Sequence, residues 1–293
     1  MTLKQVLSRA RGILTANNIE EASLESELLL RHVLGIDRVQ LYLGLNRELN
    51  PGQEKTFWEL VERRLKGEPT AYIIGNREFY GLGFHVDPNV LIPRPESELL
   101  VEKALSLAQQ LSIATVADIG TGCGAVAISL AMNLPEARIY ATDISARALE
   151  VARLNCRKHG VADKICLLEG DMLAPLPEPV DLIVANLPYV KESDLSHDGS
   201  LSFEPVVALN GGSAGLEKIR QLCRQAGGKL RPRGCLLLEI GQGQGKAVAT
   251  LLNGLFPLAE LEIFPDLRGI ERVVSLCLTD NRLDAKFFSW ALA

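Results

Sequence analysis

From residue 115 onward, strand-sized apolar runs alternate with stretches of helical spacing. That alternation restricts the chain to a mostly parallel sheet with helices on both faces. The runs cover 115–119, 138–142, 165–169, 181–185, 235–240, 259–264 and 272–278, and helices are expected to begin at Ala125, Ala146, Leu216 and Gly245. The last two runs, joined by a charged glycine-containing loop, are expected to pair as an antiparallel edge hairpin. With 293 residues, 47% of them hydrophobic, the chain can bury one large α/β core and a smaller second one.

The first 71 residues read differently. Leu3, Val6, Leu7, Ile13 and Leu14, then Leu24, Leu28, Leu29, Val33 and Leu34, recur at helical spacing, and Pro51 is suited to open a further helix through Phe57, Leu60, Val61 and Leu65. A small helical bundle is expected there. Its ten basic and ten acidic residues balance, so it lacks the charge signature of a nucleic-acid reader, and a role in recognising a protein substrate fits better. Residues 72–95 carry Gly75, Gly81, Gly83, Pro88, Pro93 and Pro95 among Phe79, Tyr80 and Phe84, the composition of an ordered hairpin-like connector. Pro95 then stands where a helix can begin, followed by the large domain at 96–280 and a tail at 281–293 anchored by Phe287, Phe288 and Trp290.

Bulk properties narrow the function. A formal charge of −5 disfavours broad phosphate binding. The six cysteines fall singly and the four histidines are scattered, so a reduced cytoplasmic protein without structural zinc is expected. The first ten residues lack the continuous apolar stretch of an export signal, and no run is long enough to span a bilayer.

Two runs lead into loops with chemistry in them. The first is Val116-Ala117-Asp118-Ile119-Gly120-Thr121-Gly122-Cys123-Gly124-Ala125, a strand passing through a glycine-rich turn into a helix. Such a turn lets backbone approach a nucleotide-like ligand, and Gly120, Gly122 and Ala125 also satisfy a dinucleotide-binding pattern. Asp143, about 20 residues on, suits the ribose hydroxyls of NAD and of S-adenosylmethionine alike. Asp171 and Met172, after another strand, can hold a base between a polar edge and an apolar contact.

The second loop is Asn186-Leu187-Pro188-Tyr189. A carboxamide nitrogen is a poor nucleophile because its lone pair is delocalised. Methylating it requires in-line placement and acceptors for its N–H groups. Asn186 offers a side-chain oxygen to accept one N–H and an NH₂ for cofactor or substrate, while the Leu187 carbonyl can accept a second. Pro188 holds Leu187 extended, and Tyr189 offers a flat wall to a planar amide or base.

These residues resemble the amino-methyltransferases whose signature is Asn-Pro-Pro-Tyr and, more narrowly, the release-factor glutamine N5-methyltransferases. The likeness also covers Tyr72 to Gly75, Glu78-Phe79, Leu91-Ile92-Pro93-Arg94-Pro95-Glu96-Ser97-Glu98, Glu204-Pro205 with Ala208-Leu209, and Gly269-Ile270-Glu271-Arg272-Val273. The Pro93-Arg94-Pro95 segment is the part not shared with amino-methyltransferases in general.

The resemblance implies a Rossmann-like methyltransferase sheet with an N-terminal helical bundle and a short β connector. It implies methyl transfer from S-adenosylmethionine to the glutamine of the Gly-Gly-Gln motif of peptide release factors. Carried over by position, Gly120, Thr121, Gly122, Cys123, Gly124, Asp143, Asp171, Met172 and Asn186 would line the cofactor, and Asn186, Leu187, Pro188 and Tyr189 the glutamine. Leu187 departs from the family by replacing its first proline, and Met172 stands where an aromatic is common. Arg94 and Glu98 either reach the rim of the site or set the connector against the following helix. A monomer is expected, with a release factor as partner and neither nucleic acid nor membrane. Methylation of a ribosomal-protein glutamine or of DNA adenine uses the same clamp. An NAD-dependent dehydrogenase is disfavoured by the lack of a Tyr-x-x-x-Lys pair, and a non-catalytic binding module has no use for the clamp.

Overall fold

Thr2, Asp37 and Asn50 each accept a hydrogen bond from the backbone N–H three residues on, while Gln5, Gln40 and Gln53 reach back to the cap N–H. These reciprocal caps satisfy donors that a helix start leaves unpaired. They open α1 (Leu3–Ala16), α3 (Arg38–Leu43) and α4 (Pro51–Leu65) in a computed structural model that describes residues 1–195 and 202–279. With α2 (Ala22–Leu34) and α5 (Thr70–Ile74), they bury Leu3, Leu14, Leu29, Leu30, Leu41 and Phe57 in one core. The chain divides into two compact units after Asn76, with residues 202–203 belonging to the first. The helical region therefore runs past residue 71. Tyr72, Ile73 and Ile74 are helical rather than connector, because Ile73 packs into the bundle core and Gly75, at φ 66°, ends the helix in the left-handed region.

The connector is a two-stranded hairpin of β1 (Asn76–Phe79) and β2 (Leu82–His85). Tyr80 and Gly81 both have positive φ, 51° and 70°, which gives a two-residue turn whose twist matches its strands. After it, Pro95–Ser97 form a 3₁₀ turn, closed by a bond from the Ser97 N–H to the Arg94 carbonyl, and α6 (Glu98–Gln110) begins only beyond it. The expected α-helical start at Pro95 is corrected accordingly.

The sheet comprises β3 (Thr115–Ile119), β4 (Arg138–Asp143), β5 (Ile165–Glu169), β6 (Val180–Ala185), β7 (Leu230–Glu239), β8 (Glu260–Pro265) and β9 (Glu271–Cys277). Their spatial order is β5-β4-β3-β6-β7-β9-β8, parallel from β5 to β7, with β9 antiparallel to both its neighbours. The closing hairpin thus enters the sheet with β9 inside and β8 as the edge. β7 begins at Leu230 rather than Cys235, because Leu230 already pairs with Val180. Helices α7 (Ala125–Asn133), α8 (Ala146–Lys158), α10 (Glu217–Ala226) and α11 (Gly245–Leu255) follow their strands, and a short α9 (Glu192–Leu195) follows β6. Residues 182–185 are all fully buried, as a central strand covered on both faces requires. The hairpin is no tether: the His85 N–H donates to Asn155 Oδ1 of α8 at 2.7 Å, and Asn155 Nδ2 donates back to the His85 carbonyl at 2.9 Å.

The register of β7 against β9 sets Cys235 opposite Cys277, 42 residues later, with Cα atoms 4.2 Å apart in a disulfide. The expectation of wholly reduced, solitary cysteines is corrected for this pair. Cys123, Cys156, Cys166 and Cys223 are free. Among the described residues no helix is long and apolar enough to cross a membrane. Residues 281–293, with the expected anchors Phe287, Phe288 and Trp290, lie outside the described residues.

Ser145 caps α8 by accepting the Ala148 N–H at 3.2 Å. Ser145→Ala is expected to cost about 1 kcal/mol of stability, measured by thermal or urea unfolding. An unchanged midpoint would show that the cap contributes nothing.

Candidate active site

The chain steps from β3 to β4 to β5 in one direction and then returns to place β6 and β7 on the other side of β3. Where the order reverses, the loops leaving β3 and β6 diverge, and a crevice opens at the carboxyl ends of the strands. A cleft occupies that place, lined among others by Gly120, Gly122, Asp143, Met172, Asn186 and Pro188. Four loops, separated by tens of residues in sequence, meet there because parallel strands deliver all their ends to one edge.

Gly120, Gly122 and Gly124 have φ of 73°, 56° and 84°, a region side chains other than glycine rarely adopt. A Cβ on Gly120 would stand 3.3 Å from Leu187 Cδ2, so glycine there lets the two loops close against each other. Beneath the turn Asp118 is buried. Its Oδ2 accepts from Thr121 Oγ1 at 2.7 Å and from the Ala127 N–H at 3.2 Å. Burial pushes its carboxyl up to about 6, against these two bonds. Thr121 and Cys123 are buried and, with Gly124, which caps α7, stand behind the cleft wall; of the five turn residues Gly120 and Gly122 line it.

Asp143 ends β4 and lines the cleft. One oxygen accepts the Gly122 N–H and the other the Ser145 N–H, each at 2.9 Å, so the carboxylate joins the glycine turn to the start of α8. Burial raises its pKa, with the backbone donors opposing. Asp171 and Met172 also line the cleft: Asp171 is exposed and accepts from Gln221 Nε2 at 2.6 Å, whereas Met172 is buried with φ 50° and its carbonyl accepts from Thr142 Oγ1 at 2.9 Å.

In the clamp, Asn186 Nδ2 donates to Ser97 Oγ at 2.9 Å. One N–H of that NH₂ is thus engaged by Ser97, and the Asn186 side chain lines the cleft. The Leu187 side chain is buried in the sheet core, so packing restrains this loop position where the family uses a proline ring. Pro188 lines the cleft. Tyr189 does not: its hydroxyl donates to Glu239 Oε1 at 3.2 Å, and its carbonyl accepts from Gln244 Nε2 at 3.3 Å. Arg94 and Glu98 stay off the cleft lining as well. Arg94 pairs with buried Glu204, whose other oxygen accepts the Ile92 N–H at 3.1 Å, and Glu98 accepts the Tyr80 N–H at 2.8 Å.

Several site residues escaped the sequence reading. Val90, Pro205, Val207 and Lys218 line the cleft, and Ser97, Glu239 and Gln244 brace the clamp from behind. Ser97 and Pro205 lie in segments that carry the family resemblance, without a role assigned to either, and Glu239 is the acid within the apolar run 235–240.

Residues 5–75 match the PrmC N-terminal domain and residues 95–201 the methyltransferase small domain. A methyltransferase structure from Pyrococcus furiosus superposes with a TM-score of 0.51 at 16% identity, over 68% of this chain and 90% of that one, a likeness of fold. The release factor glutamine methyltransferase of Moorella thermoacetica is 43% identical over 274 residues, 93% of this chain and 97% of that protein. The enzyme of the same name from Geobacter sulfurreducens is 40% identical over 276 residues, 93% and 95% of the two chains. Likeness at this level runs through bundle, hairpin and sheet together, and the chain belongs to the release factor glutamine methyltransferase family.

Proposed function

We infer that this protein transfers a methyl group from S-adenosylmethionine to the side-chain amide nitrogen of the glutamine in the Gly-Gly-Gln motif of peptide release factors. One observation carries the reading: the Asn186 carboxamide, held by Ser97 through its NH₂, lines the same cleft as the glycine turn and Asp143.

The residues present suit the cofactor. The Asp143 carboxylate accepts two backbone bonds and offers about four acceptor positions, which leaves capacity for two ribose hydroxyls. Gly120 and Gly122 bring backbone to the wall without a Cβ, and Met172 gives an adenine a buried apolar contact beside the carboxylate of Asp171. When bound, the cofactor supplies an electrophilic methyl on a sulfonium.

The protein's part is placement and charge. Asn186 Oδ1 accepts one N–H of the target amide and the Leu187 carbonyl the other, turning the nitrogen toward the methyl and stabilising the positive charge it would gain as the C–N bond forms and the methyl's C–S bond breaks, its electron pair staying on a neutral thioether sulfur. The nitrogen then sheds one proton to water. Pro188 keeps Leu187 extended, so its carbonyl is aimed before the substrate arrives. The helical unit at residues 1–76 is the part suited to recognising the rest of the release factor, having caps and a core of its own and no cleft chemistry.

The test offers the full-length protein labelled S-adenosylmethionine with four separate acceptors: an intact release factor, a short Gly-Gly-Gln peptide, ribosomal protein, and adenine-containing DNA. The expected product is N5-methylglutamine in the release factor, formed faster there than in the peptide. Label confined to DNA or to ribosomal protein would overturn the assignment.

A further inference from the structure

The clamp is tied from behind to a carboxyl group that the mechanism above leaves without work. Glu239, the last residue of β7, is 1% exposed. Its Oε1 accepts the Tyr189 hydroxyl, and its Oε2 has no hydrogen-bond partner among the described residues. Buried carboxyl groups are normally satisfied, so an orphaned oxygen beside a reactive loop calls for an explanation. The neighbouring Ser97 hydroxyl favours its charged form, as do Tyr189 and the Arg272 guanidinium on β9, while Glu96 opposes it. Arg272 is itself engaged by Asp266, at 3.1 Å.

A serine hydroxyl has one proton and two lone pairs, and an ionised carboxylate only accepts. Ser97 Oγ accepts from Asn186 Nδ2. Its own proton therefore turns elsewhere, and Glu239 is the acidic acceptor beside it. An ionised Glu239 makes Ser97 a donor toward the carboxylate and an acceptor toward Asn186. The amide must then show NH₂ to the serine and Oδ1 to the cleft. Were Glu239 protonated, it would donate to Ser97, the serine proton would turn toward Asn186, and the amide would present its NH₂ to a substrate that also brings N–H donors.

We propose that Glu239 is a positioning residue for methyl transfer, which through the Ser97 hydroxyl fixes Asn186 with its oxygen toward the acceptor amide and holds the Tyr189 end of the same loop. This rests on the clamp role assigned to Asn186. Burial pushes the Glu239 carboxyl up to about 7, so its ionisation falls within the working pH range. Protonation then removes the productive amide orientation, and turnover rises as pH passes upward through that value. Stability runs the other way. A carboxyl whose folded pKa lies above its ordinary value favours the fold at low pH, and that contribution is lost as pH climbs through about 7.

The experiment measures turnover on an intact release factor between pH 6 and about pH 9 for the wild type, Glu239→Gln, Ser97→Ala and the double variant. Glutamine keeps the shape and can donate to Ser97, so it mimics the protonated acid. Glu239→Gln is expected to lower kcat about tenfold at pH 8 without the wild-type acid limb. Its KM for S-adenosylmethionine should be unchanged, and its Tm at pH 8 should equal or exceed that of the wild type. Ser97→Ala should move kcat in the same direction, and the double variant should be no worse than the poorer single one, since both break one relay. Turnover of Glu239→Gln within about twofold of wild type across the range, or an acid limb that survives the substitution, overturns the proposal. Asn186→Ala in the same assay separates the two ideas. If it stays active, the clamp reading itself falls; if it is inactive while Glu239→Gln and Ser97→Ala match wild type, only the Glu239 assignment falls.

Discussion

Asn186→Ala is expected to lower turnover by about 10²-fold or more while the affinity for S-adenosylmethionine stays near that of the wild type. The alanine leaves the strand end in place, because residues 182–185 and Leu187 are held by the sheet core and need nothing from the Asn186 side chain. What disappears is the Oδ1 acceptor aimed at the target nitrogen, whose interaction strengthens only as charge develops there. The loss therefore falls on kcat rather than on binding. Single-turnover rates with calorimetry of cofactor binding check both halves, and a variant with near-wild-type turnover would remove Asn186 from the chemistry.

Asp143→Ala should give the opposite signature. Its carboxylate accepts the Gly122 and Ser145 N–H groups, so truncation takes away the ribose acceptor and leaves two backbone donors of the cleft wall without their partner. Hydrogen bonds to a charged group are worth about 1.5–3 kcal/mol, which corresponds to cofactor affinity weakened by about 10- to 100-fold. Because burial raises the Asp143 pKa, the wild-type affinity should also fall on acidification sooner than an ordinary aspartate would dictate. Titration calorimetry at neutral pH decides it: an affinity equal to the wild type would strip Asp143 of the ribose role. With saturating cofactor, turnover of this variant should recover substantially, which Asn186→Ala cannot do.

The two variants are expected to differ because the proposed function gives the cleft two jobs served by different strand ends. β3 and β4 present backbone and a carboxylate suited to a nucleoside, while β6 presents an amide oxygen braced by packing. The Leu187 side chain enters the core beside Gly120, so packing restrains this loop position.

Much of this was legible before any coordinates. The strand at Thr115–Ile119, the helices starting at Ala125, Ala146 and Gly245, and the turn glycines follow from local periodicity and from where positive φ is needed. The bundle follows from apolar residues at helical spacing and from Pro51 at a helix start. Such signals are short in range, and so the chain carries them openly.

What lies behind the wall was not legible, because it depends on register between distant segments. Ser97 meets Asn186 across 89 residues and Glu239 meets Tyr189 across 50, and no local pattern marks either pair. Cys235 and Cys277 read as solitary until antiparallel pairing set them opposite. Thr121 and Cys123 sit in the turn motif yet face the core, since a turn's sequence does not say which of its side chains the sheet will cover. The sequence determined which segments are strands, helices and turns, because those preferences are settled by neighbours along the chain. Only the tertiary structure decided which side chains share the cleft and which hold them there, because the strand order and pairing that bring them together are properties of the packed sheet.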